Sequence, residues 1–332
     1  MDTRALGSTG PRVSALGLGC MGMSDFYGPA DRAESVATIH AALDAGITLL
    51  DTGDFYGMGD NELLLREAMA GRSRAAVVLS VKFGALRDAG GGWLGIDGRP
   101  AAVKNFLAYT LRRLGTDHVD VYRLTRVDPA VPIEDTVGAI AEMIGAGLVR
   151  HVGLSEPGAA TIRRAHAVHP VSDVQIEYSL LSRGIEDAIL PTARALGIAV
   201  TAYGVLSRGL LSGHWGKERA VAKGDFRGHL PRFGGANLEP NLALAGALAS
   251  LAREMGTTVA ALATAWVLSR GADVVPLVGA RRRDQLAESL AALDLRLTSG
   301  DLARIEAAVP KGAAAGERYA ASQMAFLDSE RR

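Results

Sequence analysis

The stretch Arg32–Asp51, RAESVATIHAALDAGITLLD, decides the fold. A helical pattern over Arg32–Asp44 follows the capping sequence Pro29-Ala30-Asp31 and stops at Gly46. Glycine there permits the left-handed cap that turns the chain back on itself. An apolar run starts at once with Ile47 and ends in a charged residue, Asp51. Helix, glycine, apolar strand and polar strand end together make one βα unit. The same junction recurs at Ala146-Gly147-Leu148 and Leu196-Gly197-Ile198.

Apolar runs predict strands over Val13–Leu18, Ile47–Asp51, Val77–Lys82, Val119–Leu124, Val149–Ser155, Val174–Tyr178, Ala199–Tyr203 and Val274–Val278. They hardly alternate, so both faces are expected to be buried, as in a parallel sheet covered by helices. Further helical patterns run over Lys104–Leu114, Ile133–Ile144, Ala159–Val168, Ile185–Leu196, Asn241–Met255 and Val259–Leu268. Eight βα units in about 280 residues fit a single closed (β/α)8 TIM barrel, an α/β fold. No linker or composition break divides the chain, so one domain is expected over residues 1–332. Two segments fall outside the rhythm. The first dozen residues read as a hairpin, and His214–Pro240 reads as a long glycine-rich loop after the seventh strand. Pro310–Arg332 reads as a partly ordered tail able to shape a pocket.

Composition narrows the function. Lys+Arg and Asp+Glu are both 36, so the net charge is zero. A nucleic-acid or anionic-membrane binder needs a basic excess. One cysteine, Cys20, excludes a disulfide framework and a cysteine-based zinc site. With no apolar leader core and no long apolar span, a cytoplasmic protein is expected. Gly17-Leu18-Gly19-Cys20-Met21-Gly22 matches G-x-G-x-x-G, but Met23-Ser24-Asp25-Phe26-Tyr27-Gly28-Pro29 is no helix start. A dinucleotide fingerprint needs a helix there to receive the pyrophosphate, so these glycines are assigned to a tight loop at the barrel mouth. Gly90-Gly91-Gly92 is read as a flexible stretch, and His166 and His169 as outer-helix surface.

Polar residues stand at strand ends where apolar ones would be expected. The second strand ends Asp51-Thr52 and runs on through Gly53-Asp54-Phe55-Tyr56-Gly57; the third ends Val81-Lys82-Phe83-Gly84. In a parallel barrel these ends open on one face, where catalytic groups sit. Asp51 and Lys82 can therefore meet, Asp51 holding the ammonium. A neighbouring Lys82 is expected to lower the pKa of Tyr56 and make it a usable acid.

The segment Asp51–Glu62, DTGDFYGMGDNE, resembles the signature of the aldo-keto reductases, and Val81-Lys82-Phe83-Gly84 is similar to their lysine motif. Leu114–Asp120, Val152–Glu156, Val174–Ser179 and Leu277–Ala280 follow in family order, and Pro231-Arg232-Phe233 with Asn237 resembles the perakine-reductase-like branch. The resemblance implies an NADPH-dependent reductase without metal, acting on a small-molecule carbonyl or a related C=N or C=C electrophile. It also implies a catalytic tetrad of Asp, Tyr, Lys and His. Three members carry over as Asp51, Tyr56 and Lys82. The family writes a His-Arg pair after the fourth strand; here Leu124-Thr125-Arg126 puts Thr125 at the histidine position. A threonine hydroxyl is the shorter and weaker donor, so simple aldehyde reduction is expected to be slow. The resemblance further implies that Ser155 and Gln175 bind the nicotinamide carboxamide and that Tyr203 stacks on its ring. Leu206, Ser207 and Gly209 belong to a looser cofactor segment. Gly279, Arg281, Arg282, Gln285, Glu288 and Ser289 would hold the adenosine phosphate at a helix N-terminus, Ser289 replacing an asparagine. Two alternatives stay open: an NADPH-binding regulatory or sensor protein with little turnover, and an isomerase or lyase on the same barrel. A homo-oligomer is compatible with the sequence.

Overall fold

The computed structural model describes residues 1–216, 221 and 224–331. Strands β1 (Thr3–Ala5) and β2 (Arg12–Ser14) form an antiparallel hairpin in which Arg4 pairs with Val13. The barrel follows as β3 (Gly17–Gly19), β4 (Leu49–Gly53), β5 (Val78–Phe83), β8 (Val119–Leu124), β9 (Val149–Ser155), β10 (Val171–Glu177), β11 (Ala199–Tyr203) and β12 (Val274–Gly279). These eight strands are parallel, pair in that order and close where Leu277 meets Gly17 and Gly279 meets Gly19. A second hairpin, β6 (Ala85–Arg87) and β7 (Trp93–Ile96), rises above β5.

The outer layer holds α1 (Arg32–Asp44), α2 (Asp60–Met69), α3 (Pro100–Leu114), α4 (Ile133–Gly145), α5 (Ala159–Val168), α6 (Ile189–Ala195), α7 (Leu238–Glu254), α8 (Val259–Leu268) and α9 (Arg283–Leu290). Helix α10 (Ser299–Ala308) and the short α11 (Ala321–Met324) complete the chain. Local chemistry sets the boundaries. The Asp31 carboxylate caps α1 by accepting from the Glu34 amide at 2.7 Å. Gly46 (φ +90°), Gly147 (φ +77°) and Gly197 (φ +67°) take left-handed backbone at the helix-to-strand junctions.

The first predicted strand, Val13–Leu18, is divided. Val13 belongs to the hairpin, and only Gly17–Gly19 enters the barrel. The reason is packing at the closed end. Leu6 and Val13 fold under the barrel and join Leu49, Val121, Ala199, Val275 and Leu277 in a buried plug. Gly17 is held between Leu277 and Leu49, which a Cβ would meet at 2.6 and 2.9 Å, so this seam admits no side chain. Gly90-Gly91-Gly92 turns out to lie in the turn of the β6–β7 hairpin, where the Gly92 amide reaches the Asp88 carboxylate at 2.7 Å. Helix α7 begins three residues before its expected start because Pro240 lies in its first turn, where no intrahelical donor is lost. Helices α2 and α10 had no sequence assignment.

The seventh barrel strand is followed by the long loop, built from 3-10 turns at Ser207–Gly209, Phe226–His229, Pro231–Phe233 and Gly235–Asn237. Of the expected loop His214–Pro240, residues 217–220 and 222–223 lie outside the described residues, as does Arg332. The C-terminal tail is ordered across the mouth. Arg318 and Tyr319 are buried, and Asp328 accepts from the Gly158 amide at 2.6 Å. No helix among the described residues is long and apolar enough to cross a membrane.

Candidate active site

Several barrel strands deliver polar residues toward the mouth. Asp51 on β4 and Lys82 on β5 form a buried ion pair. The second Asp51 oxygen accepts from Ser80 Oγ at 2.8 Å and from Gln175 Nε2 at 2.7 Å. Tyr56 begins the 3-10 turn Tyr56–Gly59 directly after β4, and the Lys82 ammonium lies 5.3 Å from the centre of its ring. The structure thus brings together Asp51 and Tyr56 with Lys82 and Gln175, which lie 31 and 124 positions from Asp51 in the chain.

Beneath them lies a support that the sequence did not reveal. Arg123, wholly buried inside the barrel, pairs with Asp173 at 2.9 Å and donates to Ser80 Oγ at 2.9 Å. Thr201 Oγ1 donates to the same aspartate at 2.6 Å. This chain of bonds fixes Ser80, and through Ser80 the Asp51 carboxylate. The available signal was Arg123 next to the strand end within the Val119–Leu124 run, VDVYRL.

Electrostatics correct one expectation. Burial, followed by the Asp51 charge, pushes the Tyr56 hydroxyl well above the usual phenol range, and Arg126 only partly offsets them. The neighbouring Lys82 does not overcome them. Burial instead pulls the Lys82 ammonium below its usual value against the attraction of Asp51. Tyr56 is therefore held as a protonated phenol.

Thr125 lies at the mouth end of β8, but its hydroxyl donates to the Phe83 carbonyl at 2.8 Å. Its proton is not directed into the mouth. The next residue, Arg126, reaches over it, donating to the Thr125 carbonyl at 2.6 Å, to Ser155 Oγ at 3.4 Å and to the Tyr319 hydroxyl at 3.3 Å. Tyr203 donates to Glu156 at 2.6 Å and meets the Tyr319 hydroxyl at 2.9 Å. Burial works to raise the Glu156 carboxyl, but Arg318 overrides it and holds the group well below the usual carboxylate range.

The segment read as adenosine-binding lies at the end of β12. Arg281 Nη1 reaches the Tyr27 carbonyl at 3.0 Å, and its amide donates to Gln285 Oε1 at 3.2 Å. Arg282 pairs with Asp284 at 2.9 Å, both exposed. At the start of α9, the Arg283 amide donates to Glu34 Oε1 at 3.0 Å. Glu288 faces His214 at 2.9 Å. Gly279 has open space where a Cβ would stand, and Ser289 Oγ is buried without a hydrogen-bond partner. Ser207 Oγ bonds Ser179 Oγ at 3.0 Å, and Gly209 takes φ +107° beside partly buried Leu206. This donor set fits a dinucleotide: hydroxyl and amide donors at one end, an open glycine edge and arginines at the other, and an orphaned buried hydroxyl between helix and strand.

The comparisons agree with this architecture. The pattern of the aldo/keto reductase family matches residues 15–310. The chain is 40% identical over 315 residues to a probable aldo-keto reductase of Glycine max, covering 95% of this chain and 90% of that one. Among solved structures it resembles the glycerol dehydrogenase of Gluconobacter oxydans, with TM-score 0.84, 27% identity, and 100% and 98% of the two chains covered. It also resembles the holo form of an aldo-keto reductase of Bacillus halodurans, with TM-score 0.77, 27% identity, and 97% and 99% coverage. A parallel barrel with an Asp51–Lys82 pair and a protonated Tyr56 at its mouth, matched along nearly its whole length, belongs to the aldo/keto reductase family of oxidoreductases.

Proposed function

We propose that residues 1–332 act as one barrel domain, an NADPH-dependent reductase of an aldehyde, a ketone or a related C=N or C=C electrophile. The observation that carries this reading is Tyr56, buried and held protonated above the Asp51–Lys82 pair. A bound nicotinamide supplies the hydride. The chain supplies the rest. Tyr56 gives its hydroxyl proton to the substrate oxygen as charge develops there, so the carbonyl carbon gains a hydride, the oxygen a proton, and an alcohol results. Lys82 meets the resulting phenolate, and Asp51, bound by Ser80 and Gln175, keeps Lys82 in place. Ser155, Gln175 and Tyr203 would hold the nicotinamide. Arg281 and Arg282 support the choice of a phosphorylated cofactor, since the exposed Arg282–Asp284 pair can exchange its carboxylate for a phosphate. A single buried cysteine agrees with a cytoplasmic setting.

One observation favours the second reading, a cofactor-binding sensor with little turnover: the Thr125 proton is committed to Phe83 and leaves that strand end without a side-chain hydroxyl for a carbonyl.

Tyr56→Phe separates the two. Under the reductase reading, NADPH binding measured by fluorescence stays intact while turnover falls about 10²-fold or more, because ring packing survives and the acid is lost. Unchanged turnover on the best substrate would assign the proton to another group.

A further inference from the structure

The buried cations around the mouth nearly all have carboxylate partners. Lys82 pairs with Asp51, Arg123 with Asp173, and Arg318 with Glu156, while Glu177 serves Arg208 at 2.8 Å and Arg232 at 3.8 Å. Arg126 is the exception. Its partners are a backbone carbonyl and two hydroxyls, and no carboxylate among the described residues lies within 4.0 Å of it. Burying a guanidinium with no carboxylate in contact is costly, since Glu156 acts on it only from beyond 4.0 Å, and an anionic ligand arriving there recovers part of that cost. The planar fork of arginine matches a carboxylate with two parallel hydrogen bonds. Arg126 follows Thr125 at the end of β8, touches Ser155 at the end of β9, and exerts its charge on Tyr56. Its cover is Tyr319, a neutral side chain on the tail, which a better acceptor can displace.

Resting on the reductase reading above, we propose that Arg126 is a substrate-binding residue and that the physiological substrate is a carbonyl compound bearing a carboxylate. The carboxylate takes the place of the Tyr319 hydroxyl on the Arg126 guanidinium, and the carbonyl is thereby brought to the Tyr56 hydroxyl. This arrangement supplies orientation that Thr125 cannot, since its hydroxyl is engaged with Phe83.

The test compares para-carboxybenzaldehyde with its methyl ester, a pair of similar shape that differ in charge. Wild type, Arg126→Gln and Arg126→Lys are assayed with NADPH, and benzoate binding is measured calorimetrically without turnover. The wild type is expected to favour the acid in kcat/KM by about tenfold or more, chiefly through KM. Arg126→Gln should bring the ratio close to one and weaken benzoate about tenfold. Arg126→Lys should restore part of the preference. Equal kcat/KM for acid and ester in the wild type overturns the proposal while leaving the reductase reading intact. So does an Arg126→Gln variant that lowers both alike and weakens NADPH instead, which would make Arg126 a cofactor ligand. Benzoate binding that depends on Arg126, with neither aldehyde turned over, would overturn the carbonyl substrate assigned here and retain only the anion site.

Discussion

Thr125 stands at the position where the family resemblance puts a histidine, yet its hydroxyl is engaged in tying two strands together. Its hydroxyl and its amide both donate to the Phe83 carbonyl, at 2.8 Å each, so the residue ties β8 to β5. Thr125→Val should therefore leave turnover nearly unchanged and cost about 1 kcal/mol of stability, the usual net worth of one hydrogen bond. Phe83 keeps its amide partner, so no buried acceptor is orphaned. Steady-state kinetics and a denaturant melt check this. A large fall in kcat would return the hydroxyl to the catalytic set. Tyr56 makes the complementary point. Its identity was readable from the sequence, but its protonation state was not, because that depends on how completely neighbouring elements exclude water.

At the scale of elements, the C-terminal tail behaves as part of the site. Arg318 donates to Glu156 at 2.9 Å and to Glu330 at 2.8 Å, fastening the segment that carries Tyr319 across the mouth. Glu156 is wholly buried and takes left-handed backbone (φ +54°), so its position is imposed by its surroundings. Removing Arg318 leaves a buried carboxylate without its counter-charge, which costs about 3–5 kcal/mol. Arg318→Met should lower the melting temperature and speed tryptic cleavage at the exposed Lys311. Adding Glu156→Gln should recover part of the loss, since the uncompensated charge is then gone. Digestion time courses of the single and double variants measure both effects. No rescue by the second change would mean the tail is held by apolar packing instead.

For the whole molecule, the pH dependence of stability has contributions of opposite sign. Asp54 and Glu62 flank the Tyr56–Gly59 turn, and Asp54 lines a cleft of about 270 Å³ with Phe55, Met58, Phe106 and Arg113. Burial, and then the Glu62 charge, push the Asp54 carboxyl well above its usual range. The folded state thus holds a proton there that the unfolded chain has released. The stabilising contribution of Asp54 is full below the ordinary carboxylate range and is lost as pH rises through the elevated folded value. Glu156 and Glu177, lowered by their arginines despite burial, contribute in the other direction and lose their effect as pH falls. Asp54→Asn keeps the shape of the protonated acid, so its gain in melting temperature over wild type should grow from pH 5 to pH 8. A gain that is flat with pH would show that Asp54 ionises normally.

The βα rhythm, the glycine junctions, the buried strands and the strand-end residues Asp51, Tyr56 and Lys82 were all legible in the sequence, because each depends on local periodicity or on a motif of adjacent residues. The division of Val13–Leu18 was not, since an apolar run reads alike whether it enters the barrel wall or plugs its base. Nor were the Arg123–Asp173 pair beneath Asp51, the Arg318–Glu156 clasp and the setting of Arg126, which has hydroxyls and no carboxylate in contact among the described residues. Each joins residues 29 to 193 positions apart. Their meaning lies in which charges share a dry space. That is settled only when the barrel closes and the tail folds over its mouth, where burial decides whether a group is paired, protonated or left to bind something else.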